Sequence, residues 1–215
     1  MNGPLRNTIG LLVYDGCDLL DVGGPHEALL TAARLLARTG TGPELSVATV
    51  GLRPSPITVY GGLELGGHRL VDDVERLDVL LVPGTVDVTA ALADTALVRA
   101  VATLAARSAL VTSVCTGSFL LAAAGLLHGR TATTHHEDLA GLAARSDVGN
   151  VVGGVRFVGD DRVVTAAGLS SGLSLGLHLV DRLVDRDLAV ATARQLEHPF
   201  DPEGRDGVPL ATGGA

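Results

Sequence analysis

The sequence predicts an α/β protein, a three-layer sandwich in which helices cover both faces of a mostly parallel sheet. Short β-branched runs alternate with longer Ala/Leu-rich stretches along the 215 residues, and that rhythm builds parallel sheets through crossover helices. The runs "GLLVY" and "VLLVP" are continuously apolar, so their strands are buried on both faces. Hydrophobic residues make up 47% of the chain and aromatics only 2%, with no Trp. The core is therefore Val, Leu and Ala, as suits helices layered on a sheet.

Strands are expected at 7–14, 44–50, 78–84, 109–114 and 162–168, each short and rich in Val, Leu or Thr. The first helix is placed by "GGPHEALLTAARLLARTG", with Pro25 at the first helical position, Glu27 in the first turn, Arg34 and Arg38 near the end and Gly40 beyond it. Asp21 then precedes this helix and helps cap it. Further helices are expected at 94–107, 116–127, 137–145, 170–185 and 188–197, with Leu173, Leu177 and Val180 at helical spacing. Hairpin-like pieces surround Gly61–Gly62 and Gly159–Asp161. One domain over residues 1–198 accounts for these elements. The stretch 199–215 is rich in Gly, Pro and charge without periodicity, and is expected to be a flexible tail.

Composition narrows the function. Formal net charge is −8 and all 16 basic residues are Arg, scattered along the chain, so no face is prepared for nucleic acid. No apolar run reaches the ~18 residues of a membrane helix, and the N-terminus lacks a signal pattern. A cytoplasmic location is expected. The two cysteines, Cys17 and Cys115, fit neither a disulfide framework nor a zinc site.

Parallel sheets collect their sites at the carboxyl ends of the strands. Three segments end there: "YDGCDLLDVGGP", "VPGT" and "VCTG". Cys115 lies at the last of these, where a strand turns into a helix. A thiol so placed faces backbone N–H groups and the positive end of the helix dipole, which lower its pKa and favour thiolate. This is the expected nucleophile. Backbone N–H groups at Gly84, Thr85 and Thr116, with the Thr116 hydroxyl, are expected to line a small polar cavity.

These segments, with "DVLLVPG", "VCTGSFLLAAAGLLHGRTATTHHEDL" and "VVTAAGLSSGLSLGLHLV", resemble the ThiJ/PfpI superfamily over nearly the whole chain. The resemblance implies a flavodoxin-like, class I glutamine amidotransferase-like domain with a cysteine nucleophile elbow. Within it the isonitrile hydratase branch is the nearest pattern, carrying an Asp in an "LDLTGP"-type segment and a Cys-Thr-Gly elbow; here these are Asp21 and Cys115-Thr116-Gly117. Thr116 stands where the peptidase-like branch has His. Thr85 and Gly23 replace the usual second glycine after "VPG" and the usual Thr before "GP". The resemblance implies hydration of an isonitrile to an N-substituted formamide, with Cys115 attacking the terminal carbon to give a thioimidate, Asp21 as proton relay and Thr116 beside them. A carboxylate and a thiolate in contact share one proton cheaply, which suits that role. No cofactor is implied, and relatives are commonly homodimers.

Other residues have plainer readings. Cys17 lacks an elbow and reads as a loop or core residue, and Glu27 as first-turn electrostatics. His135 and His136 are followed by Glu137 and Asp138, but neighbours on a strand point oppositely and no further ligand is evident, so no metal is expected. His135 is expected to face the pocket, and His178 to be a satisfied core histidine. No GxGxxG or P-loop pattern accompanies the glycines. Glyoxalase-like hydration of a dicarbonyl through Cys115 is a second reading. A ligand-sensing module is a third, for which no helix-turn-helix follows the last helix.

Overall fold

The computed structural model describes residues 6–40 and 42–205. The chain runs β1 (Arg6–Val13), α1 (Leu19–Thr39), β2 (Glu44–Gly51), β3 (Ile57–Thr58), β4 (Glu64–Leu65), β5 (Arg69–Leu70), β6 (Leu77–Val82), α2 (Val88–Ala93) and α3 (Thr95–Ala106). It continues through β7 (Ser108–Val114), α4 (Gly117–Ala123), β8 (Thr131–Ala132), α5 (Leu139–Ala143), β9 (Asn150–Val151), β10 (Phe157–Gly159), β11 (Val163–Ala166), α6 (Ser171–Leu183) and α7 (Arg186–Leu196).

Seven strands form the central sheet in the order β10-β11-β7-β6-β1-β2-β5. Every pair is parallel except β10 with β11. After β2 the chain returns to the other side of β1, so the strand order reverses there, and such a reversal opens a crevice at the carboxyl ends of the strands. Helices α1, α6 and α7 pack together as one group, and α2, α3 and α4 as another. The expected double burial holds: Leu11, Leu12 and Val13 on β1 and Val79, Leu80, Leu81 and Val82 on β6 are all inaccessible to solvent.

The α1–α6 contact is close because small residues line it. A Cβ on Gly176 would sit 2.6 Å from the Ala28 Cβ, and one on Gly172 would sit 2.9 Å from Pro25 Cδ. Pro25 is therefore a packing residue, and this corrects its expected place at the helix start. The helix begins six residues earlier at Leu19, capped by the Asp18 side chain, which accepts from the Leu20 N–H at 3.0 Å. Asp21 thus lies inside the first turn rather than ahead of it, and Glu27 lies two turns in, accepting from the Thr31 hydroxyl at 3.3 Å. Asp18 supplies the capping side chain that Gly23 and Gly24 lack, and burial of Val22 with the seating of Pro25 against Gly172 outweighs the hydrogen bond that Pro25 removes.

Other boundaries shift for local reasons. The helix expected at 116–127 stops at Ala123, just ahead of Gly125 with its left-handed φ of 76°. The helix expected at 137–145 splits into a 3₁₀ turn, His136–Asp138, and α5. Helix α2 was not anticipated; Asp87 caps it, and Asp94 both ends it and caps α3. Both hairpins form, as β3–β4 and β10–β11. The stretch expected as a tail stays against the domain through Arg205, where Phe200 meets the core and the Gly204 carbonyl accepts from the Arg156 N–H at 2.8 Å. Residues 206–215 lie outside the described residues.

Candidate active site at the β7–α4 elbow

The carboxyl ends of β1, β6, β7 and β11 converge on Cys115. Its φ of 56° lies in the left-handed region, which costs a non-glycine residue about 1–3 kcal/mol and persists only where the surroundings enforce it. They do so here. The Cys115 N–H donates to the carbonyls of Ala166 and Ala167 at 3.1 and 3.0 Å. Its carbonyl accepts from the Thr134 hydroxyl at 3.0 Å and the Ser118 hydroxyl at 3.3 Å. Gly117 follows because nothing larger fits: a Cβ there would lie 2.3 Å from the Val82 carbonyl oxygen.

Asp21 lies beneath the elbow, fully buried. Its Oδ2 accepts from the Gly84 N–H at 2.9 Å. Its Oδ1 has no partner in hydrogen-bond geometry, although the Cys115 thiol stands near enough to act on the carboxyl as a side-chain donor. Burial raises the carboxyl pKa to about 7, against the opposing pull of the Gly84 N–H. Burial, and after it the charge on Asp21, push the Cys115 thiol up to about 12 against the N–H groups of Thr116 and Leu169, which pull it down. This corrects the expected thiolate. The helix behind the elbow has only 7 residues, and desolvation of the sulfur outweighs the donors facing it. At rest the thiol is neutral and the carboxyl is poised to titrate.

The neighbouring N–H groups are already engaged. The Gly84 N–H is held by Asp21, and the Thr85 N–H donates to Thr116 Oγ1 at 2.8 Å. The Thr116 hydroxyl in turn donates to the Thr85 carbonyl at 2.7 Å. Gly84 and Thr85 therefore do not offer backbone donors to a substrate, as had been expected, and the Thr116 hydroxyl fixes the Thr85 backbone rather than pointing a proton at a ligand. Gly84 permits this packing, since a Cβ on it would lie 2.6 Å from Thr116 Oγ1. The donors facing the sulfur belong to Thr116 and Leu169.

A cavity of about 280 Å³ opens above Cys115, bounded by Thr85, Val86, Val88, Leu169, His135 and the carboxylates of Asp18, Glu137 and Asp138. His135 does reach it. It sits at the N-cap of the 3₁₀ turn, its Nδ1 accepting from the Glu137 N–H at 3.4 Å, with Asp138 and Glu137 oxygens 3.6 and 3.7 Å away. The His135 and His136 rings lie against one another with centroids 4.3 Å apart, not on opposite sides of a strand. Among the described residues no three His, Cys, Asp or Glu side chains gather into a metal-binding group. Cys17 is buried beside the site, its thiol pushed up to about 11 mainly by burial. His178 packs on Phe157 with centroids 4.5 Å apart, but its Nδ1 has no partner, which departs from the satisfied histidine expected. Burial lowers its pKa.

Three contributors escaped the sequence. Leu169, with φ 42°, aims an N–H at the sulfur from the β11–α6 turn. Thr134 holds the elbow carbonyl. Tyr14 donates to the Pro83 carbonyl at 3.0 Å and borders the acidic pair, its pKa raised by burial and then by Cys17 and Asp21. Only the position of Leu169, directly after a strand and before a helix, carried a readable signal.

Fold and site together define an α/β protein with a buried thiol–carboxyl pair at a strand-to-helix elbow. Residues 7–182 match the model of the DJ-1/PfpI family, and the chain belongs to that family. It is 34% identical over 209 residues to an isonitrile hydratase from Pseudomonas putida, covering 94% of this chain and 85% of that protein. The crystal structure of a ThiJ/PfpI family protein from Pseudomonas syringae superposes with a TM-score of 0.78 at 30% identity, covering 98% of this chain and 80% of the other. Schizosaccharomyces pombe DJ-1 shares the fold at 16% identity and a TM-score of 0.70, covering 89% of this chain and all of its own. Among the described residues no helix is long and apolar enough to cross a membrane.

Proposed function

We propose that the chain hydrates an isonitrile, R–N≡C, to the N-substituted formamide R–NH–CHO, with Cys115 as nucleophile and Asp21 as proton carrier. The observation that carries this reading is the unpartnered Oδ1 of a fully buried carboxyl standing beside the thiol below an open cavity. Similarity to the Pseudomonas putida isonitrile hydratase supports the choice of substrate.

The ionised Asp21 takes the thiol proton as the sulfur attacks the terminal isonitrile carbon, and delivers that proton to the same carbon. A C–S bond and a C–H bond form, giving the thioimidate R–N=CH–S–Cys115. Water then adds to the thioimidate carbon, its protons passing to nitrogen and, through Asp21, to the departing sulfur. The C–S bond breaks, formamide leaves and the thiol is restored. The high thiol pKa suits a sulfur that ionises only when its proton has somewhere to go. The Thr116 and Leu169 N–H groups stabilise charge on sulfur as it develops and departs.

Purified protein incubated with cyclohexyl isocyanide tests the reading, with the formamide followed by mass spectrometry. Formamide from the wild type and none from Cys115→Ala is the expected result. Absence of product from wild type, or equal turnover by the variant, overturns it. Lactate from methylglyoxal with no formamide from the isonitrile would move the assignment to dicarbonyl hydration.

A further inference from the structure

A second cavity, of about 430 Å³, lies beside the first at the ends of β1 and β2, floored by Val13, Leu52, Ile57 and Leu97 and edged by Ala90 and Ala91 of α2. Among the described residues Thr85 is the residue common to the two linings. It meets each with a different part of itself. Its N–H and carbonyl are locked to the Thr116 hydroxyl on the Cys115 side. Its own hydroxyl donates to the Gly16 carbonyl at 2.8 Å, and Gly16 belongs to the larger cavity. The residue is nearly buried, at 9% exposure, where the two linings meet.

We propose that the Thr85 side chain is a partition that sets the length of substrate the Cys115 cavity accepts, and that the larger apolar cavity is a latent subsite for an extended apolar substituent. Rotation cannot open the partition without breaking the bond to Gly16, and the backbone is pinned independently of the side chain. Trimming Thr85 therefore joins about 280 Å³ to about 430 Å³ without unfastening the elbow. The larger space has an apolar floor, and the charged groups lining it are committed, with Arg53 paired to Asp15. Asp15 accepts from the Thr58 N–H, while Asp87 and Asp94 cap α2 and α3. The substituent it takes is consequently an alkyl or aryl group rather than an ion.

The inference rests on Cys115 facing the smaller cavity and extends the isonitrile reading, so its test includes an arm independent of that reaction. Alkylation of Cys115 is followed by peptide mass spectrometry at pH 8.5, with iodoacetamide as the small probe and a biphenyl-substituted iodoacetamide as the long one. Thr85→Ala removes bulk, whereas Thr85→Val keeps bulk and deletes the hydroxyl. The long-to-small rate ratio is expected to rise at least tenfold in Thr85→Ala and to stay within twofold of wild type in Thr85→Val. Adding Ala91→Phe, which fills the larger cavity, should return the ratio in Thr85→Ala to the wild-type value. Equal ratios in the Ala and Val variants, or a gain that survives Ala91→Phe, overturn the partition. Should Thr85→Ala fail to fold by circular dichroism, the comparison moves to Thr85→Ser, where an unchanged ratio overturns it and a rise of at least threefold upholds it. In parallel, kcat/KM for a biphenyl isocyanide relative to cyclohexyl isocyanide should follow the same order. Formamide production failing with every isonitrile would remove the proposed function while the alkylation ratios still decide the partition.

Discussion

Replacing Asp21 with Asn should make the protein more stable as it destroys the proposed chemistry, and the gain should grow with pH. The carboxyl is fully buried and its pKa is raised from 3.8 to about 7. A folded-state pKa above the unfolded value means the native state binds the extra proton, so wild-type stability falls as pH rises from about 4 to 7. The full shift corresponds to about 4 kcal/mol at 1.36 kcal/mol per unit. Integrating both titrations, about 2.5 kcal/mol of it falls between pH 5 and pH 8. Asn keeps an oxygen for the Gly84 N–H and has no charge to desolvate, so this pH dependence should vanish from the variant. Urea unfolding followed by circular dichroism suits a chain without Trp. The stability difference between Asp21→Asn and wild type should widen by about 2.5 kcal/mol from pH 5 to pH 8, or by about 5–10 °C in Tm for a chain of this size. Unfolding curves whose separation is the same at both pH values would refute the account of Asp21 as a carboxyl held neutral by burial.

The same pKa shapes the rate. Since Asp21 must be ionised to receive the thiol proton, kcat/KM should climb about tenfold per pH unit below 7 and level off above it, and a rate that falls with pH across that range would contradict the assigned direction of transfer. Gly117→Ala forces a Cβ to within 2.3 Å of the Val82 carbonyl; denaturant titration should show a loss of about 1–3 kcal/mol, with altered Cys115 alkylation. Thr116→Val unfastens the Thr85 backbone and should reduce kcat, whereas Thr116→Ser should restore it, as steady-state kinetics on the two variants would show. Gly176→Leu at the α1–α6 contact should lower the melting temperature without a change in the pH profile of whatever activity remains, because the residue is remote from the proton pair.

The layered architecture was readable because burial on both faces leaves a plain signature in β1 and β6, where Leu11–Val13 and Val79–Val82 follow one another without a polar interruption. Cys115 was readable for a related reason, since a β-branched run ending in Cys-Thr-Gly marks a strand turning sharply into a helix. The hydrogen-bond assignments were not. Which partner takes the Gly84 and Thr85 N–H groups depends on Asp21 and Thr116, residues 63 and 31 positions away in the chain. Pattern along one segment cannot convey a pairing that only the closed sheet creates. The thiol's ionisation is not legible along the chain for the same reason, because helix-end electrostatics is a local property while desolvation is imposed by everything packed around the sulfur. Pro25 misled in its own way: its preference for the first helical turn was overridden by the fit of its ring against Gly172.

The clamp on the Cys115 backbone carries a consequence for the newly made chain. The carbonyls that hold its N–H come from residues 166 and 167, about fifty positions later, so the reactive geometry does not exist until the C-terminal quarter has emerged and docked. A growing polypeptide therefore exposes this cysteine only as an ordinary thiol. The completed sheet then buries the sulfur and raises its pKa, so the folded protein shields from indiscriminate electrophiles a thiol that the unfinished chain leaves open.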